Sequence, residues 1–482
     1  MSRYQELAAA TEKLIADRLL RPGDRLPSIR QACQTNKISP ITVSSAYQLL
    51  ESRGLIEARP KSGYFVRARL GRRLSEPAMS QPGSGSTGLA VSDFIFRILD
   101  SIKDSAVVPF GSSFPAPELF PLDRLGRALA SAARQLSPQD TLADLPPGNA
   151  ELRRLLALRY QSHGATVSPD EIIITAGAME GLNLCLQAVT QPGDLIAVES
   201  PTFYATLQAA ERLGLKVVEI PSHPRDGLSL EALAEVLAQH PVKACLSMLN
   251  FSNPTGSLMP DERKKALIEL LRQHQVPLIE DDVYAELHFG PTPPLCSKAL
   301  DSDGLVMHVS SFSKCLAPGY RIGWVAAGRH VELIRRQKLT TSLATSAPIQ
   351  AALAIYLKQG GYDKHLRQLR SKLAAQEARL IEWVARYFPA GTRVSRPQGG
   401  YFLWLELPAG CDALTVHEQA LAHDISTAPG PIFSAKREYR HFLRLNFGHP
   451  EDARQEAAIE QLGQLIDHQL ANSSVPIKNT TI

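Results

Sequence analysis

The sequence predicts a multidomain protein: a winged helix-turn-helix at the N-terminus, then an α/β body on a doubly wound sheet, closed by a smaller α+β C-terminal domain. Three observations lead there. The 482 residues exceed what one hydrophobic core usually holds. Charge is unevenly distributed, since residues 1–73 hold 14 Lys/Arg and 6 Asp/Glu while the remainder is net −4. Beyond the basic block, short aliphatic runs alternate with longer helical patterns, the signature of a sheet flanked by helices. With 44% hydrophobic and 21% charged residues, the chain is ordinary globular material and not a disordered one.

A small basic head on an acidic body points to a polyanion as the head's partner. Cys33, Cys185, Cys245, Cys296, Cys315 and Cys411 are scattered with no C-x-x-C spacing. That argues against a disulfide framework and a structural zinc site, and fits a reducing compartment. No apolar run approaches the roughly 20 residues that span a bilayer, and MSRYQELAAATEKL lacks a signal-peptide core. The expectation is a cytoplasmic protein without a membrane partner.

The head is legible element by element. Leu7, Thr11, Leu14, Ile15 and Leu19 recur at helical spacing, giving an amphipathic first helix. Pro22, Gly23 and Pro27 then force a turn. Ser28 can cap a short helix over SIRQACQ, and Ser39 can cap the next, with Pro40 at its tolerated first position. Val43, Ala46, Tyr47 and Leu50 line that helix's inner face, and Gly54 ends it. LIEARPKSGYFV then reads as two β-prone runs around a basic turn, a hairpin wing. In such a unit the second helix of the pair enters the major groove and the wing lies along the backbone or a neighbouring groove. Thr42, Ser44, Ser45 and Gln48 are expected on the reading face, with Arg30, Arg59 and Lys61 toward phosphates.

Residues 67–90 start basic and become rich in Ser, Gly and Pro, so they are expected to form a flexible linker. The domain expectation is a head over 1–66, the linker over 67–90 and the body over 91–470. In the body, EIIITAG, DLIAVES, KACLSML, VPLIEDD and GLVMHVSS each read as a buried parallel strand, which puts functional residues at their carboxyl ends. GGYFLWLEL and HFLRLNFG, beside a helix over 449–470, form the smaller domain.

At PGDRLPSIR followed by TVSSAYQLLESRGLI the head resembles the GntR-family DNA-binding domain over nearly all its length. The resemblance implies double-stranded DNA as partner, with Arg30, Thr42 and Gly63 at commonly DNA-contacting positions and Ser39 opening the reading helix. Many relatives carry an arginine directly after that serine; here it is Pro40.

The body has no P-loop, no G-x-G-x-x-G, no G-x-S-x-G, and its thirteen histidines make no H-E-x-x-H cluster. Metal is therefore not expected. Instead, SSFSKCLAPGYRIGW sets Lys314 directly after a strand, flanked by Ser311 and Arg321. A lysine that loses its proton through desolvation can bond an aldehyde, and a hydroxyl with an arginine fork suits a phosphate dianion. Asp281 closes VPLIED, where it can hold a pyridine nitrogen protonated; alone it could equally be a cap or an ion pair. Tyr284 and Asn253 can reach the same ring's phenolic oxygen, although NPTG by itself reads as an ordinary turn. Gly177, Ala178 and Met179 form a strand-to-helix turn whose free N–H groups suit phosphate. Phe203 is either a stacking ring or a core aromatic, with Tyr204 the second candidate. Arg444 sits mid-strand among apolar residues and calls for a ligand carboxylate or an internal salt bridge.

Together these residues make 110–470 resemble fold-type I pyridoxal 5'-phosphate enzymes of the aspartate aminotransferase class. The resemblance implies pyridoxal phosphate as cofactor, Lys314 as the catalytic lysine, Asp281 on the pyridinium, and Asn253 and Tyr284 on the phenolic oxygen. It further implies Ser311, Arg321 and Gly177–Met179 on the phosphate, Arg444 on an α-carboxylate, and a homodimer. Relatives commonly place a phosphate-binding tyrosine shortly before the glycine of PPGNAELR, and LADLPPG has none. Head plus body resembles the MocR subfamily of GntR-type regulators. The expected function is a pyridoxal-phosphate-dependent, DNA-binding regulator sensing an amino acid or amine, with transamination weak or vestigial; the alternative is a metabolic aminotransferase with an accessory head.

Overall fold

The computed structural model describes residues 3–16, 20, 24–52, 55–59, 63–66, 74–83, 85–100, 107–139, 145–450 and 452–473. It divides into two compact units, Met1–Leu74 with Glu382–Arg386, and Ser75–Ile381 with Tyr387–Ile482.

In the first unit, α1 (Arg3–Ala16), α2 (Ile29–Asn36) and α3 (Pro40–Ser52) precede an antiparallel hairpin of β1 (Ile56–Arg59) and β2 (Gly63–Val66). Ala8, Ala32, Val43, Ala46, Tyr47 and Leu50 are buried together with Ile56 and Val66, so the expected inner face of α3 is the observed one. Ser28 and Gln31 form a reciprocal capping box at the start of α2, which satisfies two orphan backbone donors and contributes about 1 kcal/mol. The hairpin gains a third run of backbone pairing that composition does not reveal: Leu26 N–H donates to Tyr64 O at 2.8 Å, and Val66 N–H to Asp24 O at 2.8 Å.

The second unit is built on one large sheet. Its strands are β3 (Thr87–Gly88), β4 (Ile172–Thr175), β5 (Leu195–Ser200), β6 (Lys216–His223), β7 (Gly227–Leu228), β8 (Val242–Ser247), β9 (Leu278–Asp281), β10 (Val306–Ser311) and β11 (Gly323–Ala326). The order is β3-β6-β5-β8-β9-β10-β11-β4, with β7 paired to β6. Helices cover both faces: Ala178–Val189 and Val331–Thr341 pack on one, Leu230–Gln239 and Asp261–Gln273 on the other. The five expected strands are present, and β6 is an additional parallel one.

Two expectations need correction. β4, read as a parallel strand, pairs among the described residues with β11 alone and antiparallel, and β11 runs between it and β10. The chain from Ser311 to Gly323 is too short for the crossover that a parallel neighbour requires, so it returns as a hairpin-like connection. Secondly, the described residues 75–90 do not form a free tether. Ser80 Oγ bonds to Ser200 O and receives Ser222 N–H. Gly83 N–H reaches Glu438, and Thr87–Gly88 pairs with Lys216 and Val217. Ser, Gly and Pro cannot build a core, but their backbones and hydroxyls can still be fixed one bond at a time.

The smaller sheet runs β12 (Arg393–Val394), β13 (Phe402–Glu406), β15 (Phe442–Asn446) and β14 (Ala428–Pro429), in that order and wholly antiparallel, next to helix Ala453–Ser473 in sequence. Among the described residues no helix is long and apolar enough to cross a membrane.

Candidate functional site

A cleft opens at the carboxyl ends of β9 and β10. It is lined by Ala178, Met179, Phe203, Asp281, Tyr284, Ser311, Lys314 and Arg321, residues spread over more than a hundred positions of sequence. Parallel pairing of β9 with β10 sets Asp281 opposite Val309, so the acid and Ser311 leave the sheet at neighbouring strand ends. Lys314 follows within one turn.

Burial gives these groups their chemistry. Desolvation pulls the Lys314 amine down to about 7; Asp281 opposes the shift, while Arg444 and Arg321 reinforce it. Desolvation likewise pushes Asp281 up to about 7, against the attraction of Lys314. The carboxylate receives the Val283 backbone N–H, and its Oδ1 makes no hydrogen bond among the described residues. A buried carboxylate oxygen without a donor is costly. A protonated ring nitrogen entering the cleft would supply that donor, so Asp281 fits the group the sequence implies.

The turn at Gly177 fits a phosphate. Gly177 has φ +84°, and a Cβ there would lie 2.5 Å from Arg321 Nη2. Thr175 Oγ1 donates to Gly177 O at 2.9 Å, and Glu180, held by Lys338, accepts Ala176 N–H. Gly323 lets the turn sit against β10, since its Cβ would meet Gly177 C at 2.6 Å and Ser310 O at 2.8 Å. Arg321 itself has φ +51°, a left-handed conformation costing about 1–3 kcal/mol for such a residue. Its guanidinium bonds to Ser313 Oγ and Ala176 O, each at 3.3 Å, which leaves donors for an anion.

Tyr284 is fully buried and meets Tyr401 edge-on, with ring centroids 5.3 Å apart. Phe203 is half-buried at the cleft wall, tilted against Tyr204 at 4.6 Å. Asn253 is buried, and its Oδ1 accepts Arg444 Nη1 at 3.1 Å.

Arg444 is buried, and the internal salt bridge left open by the sequence is absent among the described residues. Its Nη2 donates to Gly111 O at 2.5 Å and Ser112 O at 3.0 Å, its Nη1 reaches Ser113 Oγ at 3.4 Å, and its Nε has no partner among the described residues. Phe402 lies under the guanidinium at 4.3 Å. A full positive charge thus rests on neutral oxygens, a setting that a carboxylate would improve.

Sequence reasoning missed the segment Ser112–Phe114 and Tyr401. Lys314 Nζ donates to Ser113 O at 2.9 Å and lies 3.9 Å from the centroid of the Phe114 ring. Tyr401 OH donates to the same Ser113 carbonyl at 3.0 Å, and Tyr204 OH shares a hydrogen bond with Ser113 Oγ at 2.9 Å. Also unforeseen is the buried support behind Asp281: Asp282 joins His308 at 2.9 Å and Asn250 at 3.0 Å, and His308 joins Tyr160 at 2.7 Å. No local motif marks these residues.

On the head, Arg30 and Gln48 are exposed, and Ser39 Oγ accepts Thr42 N–H at 3.2 Å as the N-cap of α3. Thr42, Ser44 and Ser45 are half-buried and lie off the buried face of Val43, Ala46, Tyr47 and Leu50, while Pro40, Ile41 and Gln48 are exposed. Gly63, exposed with φ +98°, opens β2. Lys61 and the side chain of Arg59 lie outside the described residues.

The model of the family described as aminotransferase class I and II matches residues 120–461, and that of the bacterial regulatory proteins of the gntR family matches 3–66. The chain is 47% identical to the uncharacterized HTH-type transcriptional regulator YdcR of Escherichia coli (strain K12), over 98% of this chain and 100% of that one. Among solved structures it is similar to the multiple substrate aminotransferase of Thermococcus profundus, with TM-score 0.74, 28% identity, and coverage of 80% of this chain and 96% of that one. It is also similar to LysN, the α-aminoadipate aminotransferase of Thermus thermophilus complexed with N-(5'-phosphopyridoxyl)-L-leucine, at TM-score 0.71 and 27% identity, over 80% of this chain and 100% of that one.

Proposed function

The chain belongs to the aminotransferase class I and II family and carries a gntR-family unit at its N-terminus, the MocR architecture, and from this premise we propose that it is a DNA-binding transcription regulator whose body binds pyridoxal 5'-phosphate and an amino acid or amine effector. The observation that carries the reading is the convergence of Lys314, Asp281 and Arg321 on one cleft in a chain whose head folds three helices and a hairpin.

In this reading Lys314 bonds the cofactor's aldehyde and Asp281 holds its ring nitrogen protonated. Tyr284 and Asn253 serve the phenolic oxygen. Ser311, Arg321 and the Gly177, Ala178 and Met179 turn hold the phosphate, while Phe203 covers the ring. Pyridoxal phosphate supplies an electron-accepting ring when bound. The chain's part is to present a neutral amine, keep one proton at Asp281, and receive an α-carboxylate at Arg444. Arg30, Ser39, Thr42, Ser44, Ser45, Lys61 and Gly63 serve the DNA side. The protein works as a cytoplasmic homodimer, with heads over 1–66 engaging paired half-sites and bodies over 91–470 making the dimer. An effector that contacts two body conformations differently shifts how the heads are presented.

A second reading, a metabolic aminotransferase, is favoured by one observation: both the Lys314 amine and Arg444 are in place for an amino acid. The visible spectrum of the purified protein, with and without amino acids, tests both. A cofactor band shifted without keto-acid product, together with a change in DNA affinity, supports the regulator. Rapid multiple turnover without any effect on DNA binding would replace it by the enzyme. Absence of a band after adding pyridoxal phosphate would remove the cofactor from either.

A further inference from the structure

We propose that the effector cleft selects amino acids with an apolar or aromatic side chain, and that Phe114 makes the selection. This rests on the cofactor reading above and concerns the space beyond the cofactor.

Two groups fix where an amino acid must lie. Its nitrogen approaches Lys314 Nζ, and its carboxylate approaches Arg444. What remains is the substituent on its Cα. The ring centroid of Phe114 is 3.9 Å from Lys314 Nζ, and Phe114 is 40% exposed, whereas Phe402 and Phe433 beside Arg444 are buried. An apolar face therefore lies open directly over the point where the ligand is held. Tyr204 adds ring surface there, because its hydroxyl is engaged by Ser113.

Charge points the same way. The cationic side chains lining the cleft among the described residues are Lys314 and Arg321. The first takes the ligand's nitrogen side, and the second serves the turn at Gly177. Arg444 then accepts one carboxylate. A second carboxylate, as on an acidic amino acid, would be placed against the Phe114 ring with no further cation among the described residues lining the cleft to receive it, which is unfavourable.

The same segment also fills the carboxylate position in this structure. Arg444 is bonded to the carbonyls of Gly111 and Ser112, and Lys314 to that of Ser113. A ligand carboxylate accepts these bonds with full charge and displaces the neutral carbonyls. Gly111 N–H remains on Ser426 Oγ at 3.2 Å, so the segment stays tied to the smaller sheet's side while Phe114 settles on the ligand.

The test uses the full chain loaded with pyridoxal phosphate, titrated with L-phenylalanine, L-leucine, L-alanine and L-glutamate by visible absorbance and by calorimetry. The expected result is half-saturation by phenylalanine and leucine at concentrations at least about tenfold below glutamate. Phe114→Ala should bring phenylalanine to the level of alanine, and Phe114→Arg should improve glutamate about tenfold. Glutamate binding as tightly as phenylalanine to the unaltered protein overturns the proposal, and so does a preference that survives Phe114→Ala. If the unaltered protein shows no cofactor band, the cofactor reading falls first and this proposal with it.

Discussion

Gly177 and Arg321 share a space that a single methyl group would fill: a Cβ on residue 177 would stand 2.5 Å from Arg321 Nη2. The two residues are far apart in sequence and meet because β4 and β10 both border β11. Gly177→Ala must push the guanidinium away from the turn and also strain a backbone at φ +84°. Losing charge-assisted bonds of about 1.5–3 kcal/mol corresponds to roughly 10–100-fold weaker pyridoxal phosphate binding. Titration of the cofactor-free variant by absorbance checks this, and an unchanged affinity would show that Arg321 does not hold the phosphate.

Lys314→Ala should abolish the cofactor's visible band while DNA binding by the head persists. In the unaltered protein freed of cofactor, the amine's ordinary value of 10.5 is lowered to about 7. A lowered value means the neutral, reactive amine is scarce below that pH and dominant above it. The rate of reaction with pyridoxal phosphate should therefore rise as pH increases through about 7 and level off by about 8–9, since one pH unit is a tenfold change in ratio. A rise that continues toward 10 would mean that Lys314 is not desolvated.

Arg444→Met keeps an unbranched apolar stem and removes the guanidinium fork. Amino acids should bind roughly 10–100-fold more weakly, while the corresponding amines, which lack the carboxylate, bind as before. Parallel titrations with L-phenylalanine and phenethylamine give the ratio. If both ligands weaken together, Arg444 shapes the cleft and does not read the carboxylate.

Arg30→Ala should weaken duplex binding to a similar degree for selected and unrelated sequences, and reduce the slope of log affinity against log salt by about 1. Fluorescence anisotropy over a salt series measures both. A loss confined to one sequence would make Arg30 a base reader.

Much of the site was legible because its chemistry imposes residue types at short spacing. Lys314 stands out through SSFSK followed by a proline-glycine and an arginine, all within one connection. Asp281 was visible as a carboxylate at the end of an apolar run. Ser113, Phe114 and Tyr401 were not, because they reach the site from segments distant in sequence and are of kinds found on any surface. Asn253 was recognised as a site residue but its immediate partner, Arg444, comes from the other sheet. The direction of β11 was likewise hidden: GWVA reads the same either way, and its orientation follows from the length of the connection before it. Composition misjudged 75–90 because it measures capacity for a core, whereas Ser80 and Gly83 are fixed by individual hydrogen bonds.

The two-residue strand β3 has a practical consequence for anyone dividing this protein. It occupies the outer side of β6, at the end of the large sheet, and stops after Gly88. A fragment beginning at residue 91 would uncover the backbone of Lys216 and Val217 and lose the bonds of Ser80 to Ser200 and Ser222. Unpaired strand edges recruit other strands, so such a fragment should associate beyond the dimer through this margin, and one beginning at residue 75 should not.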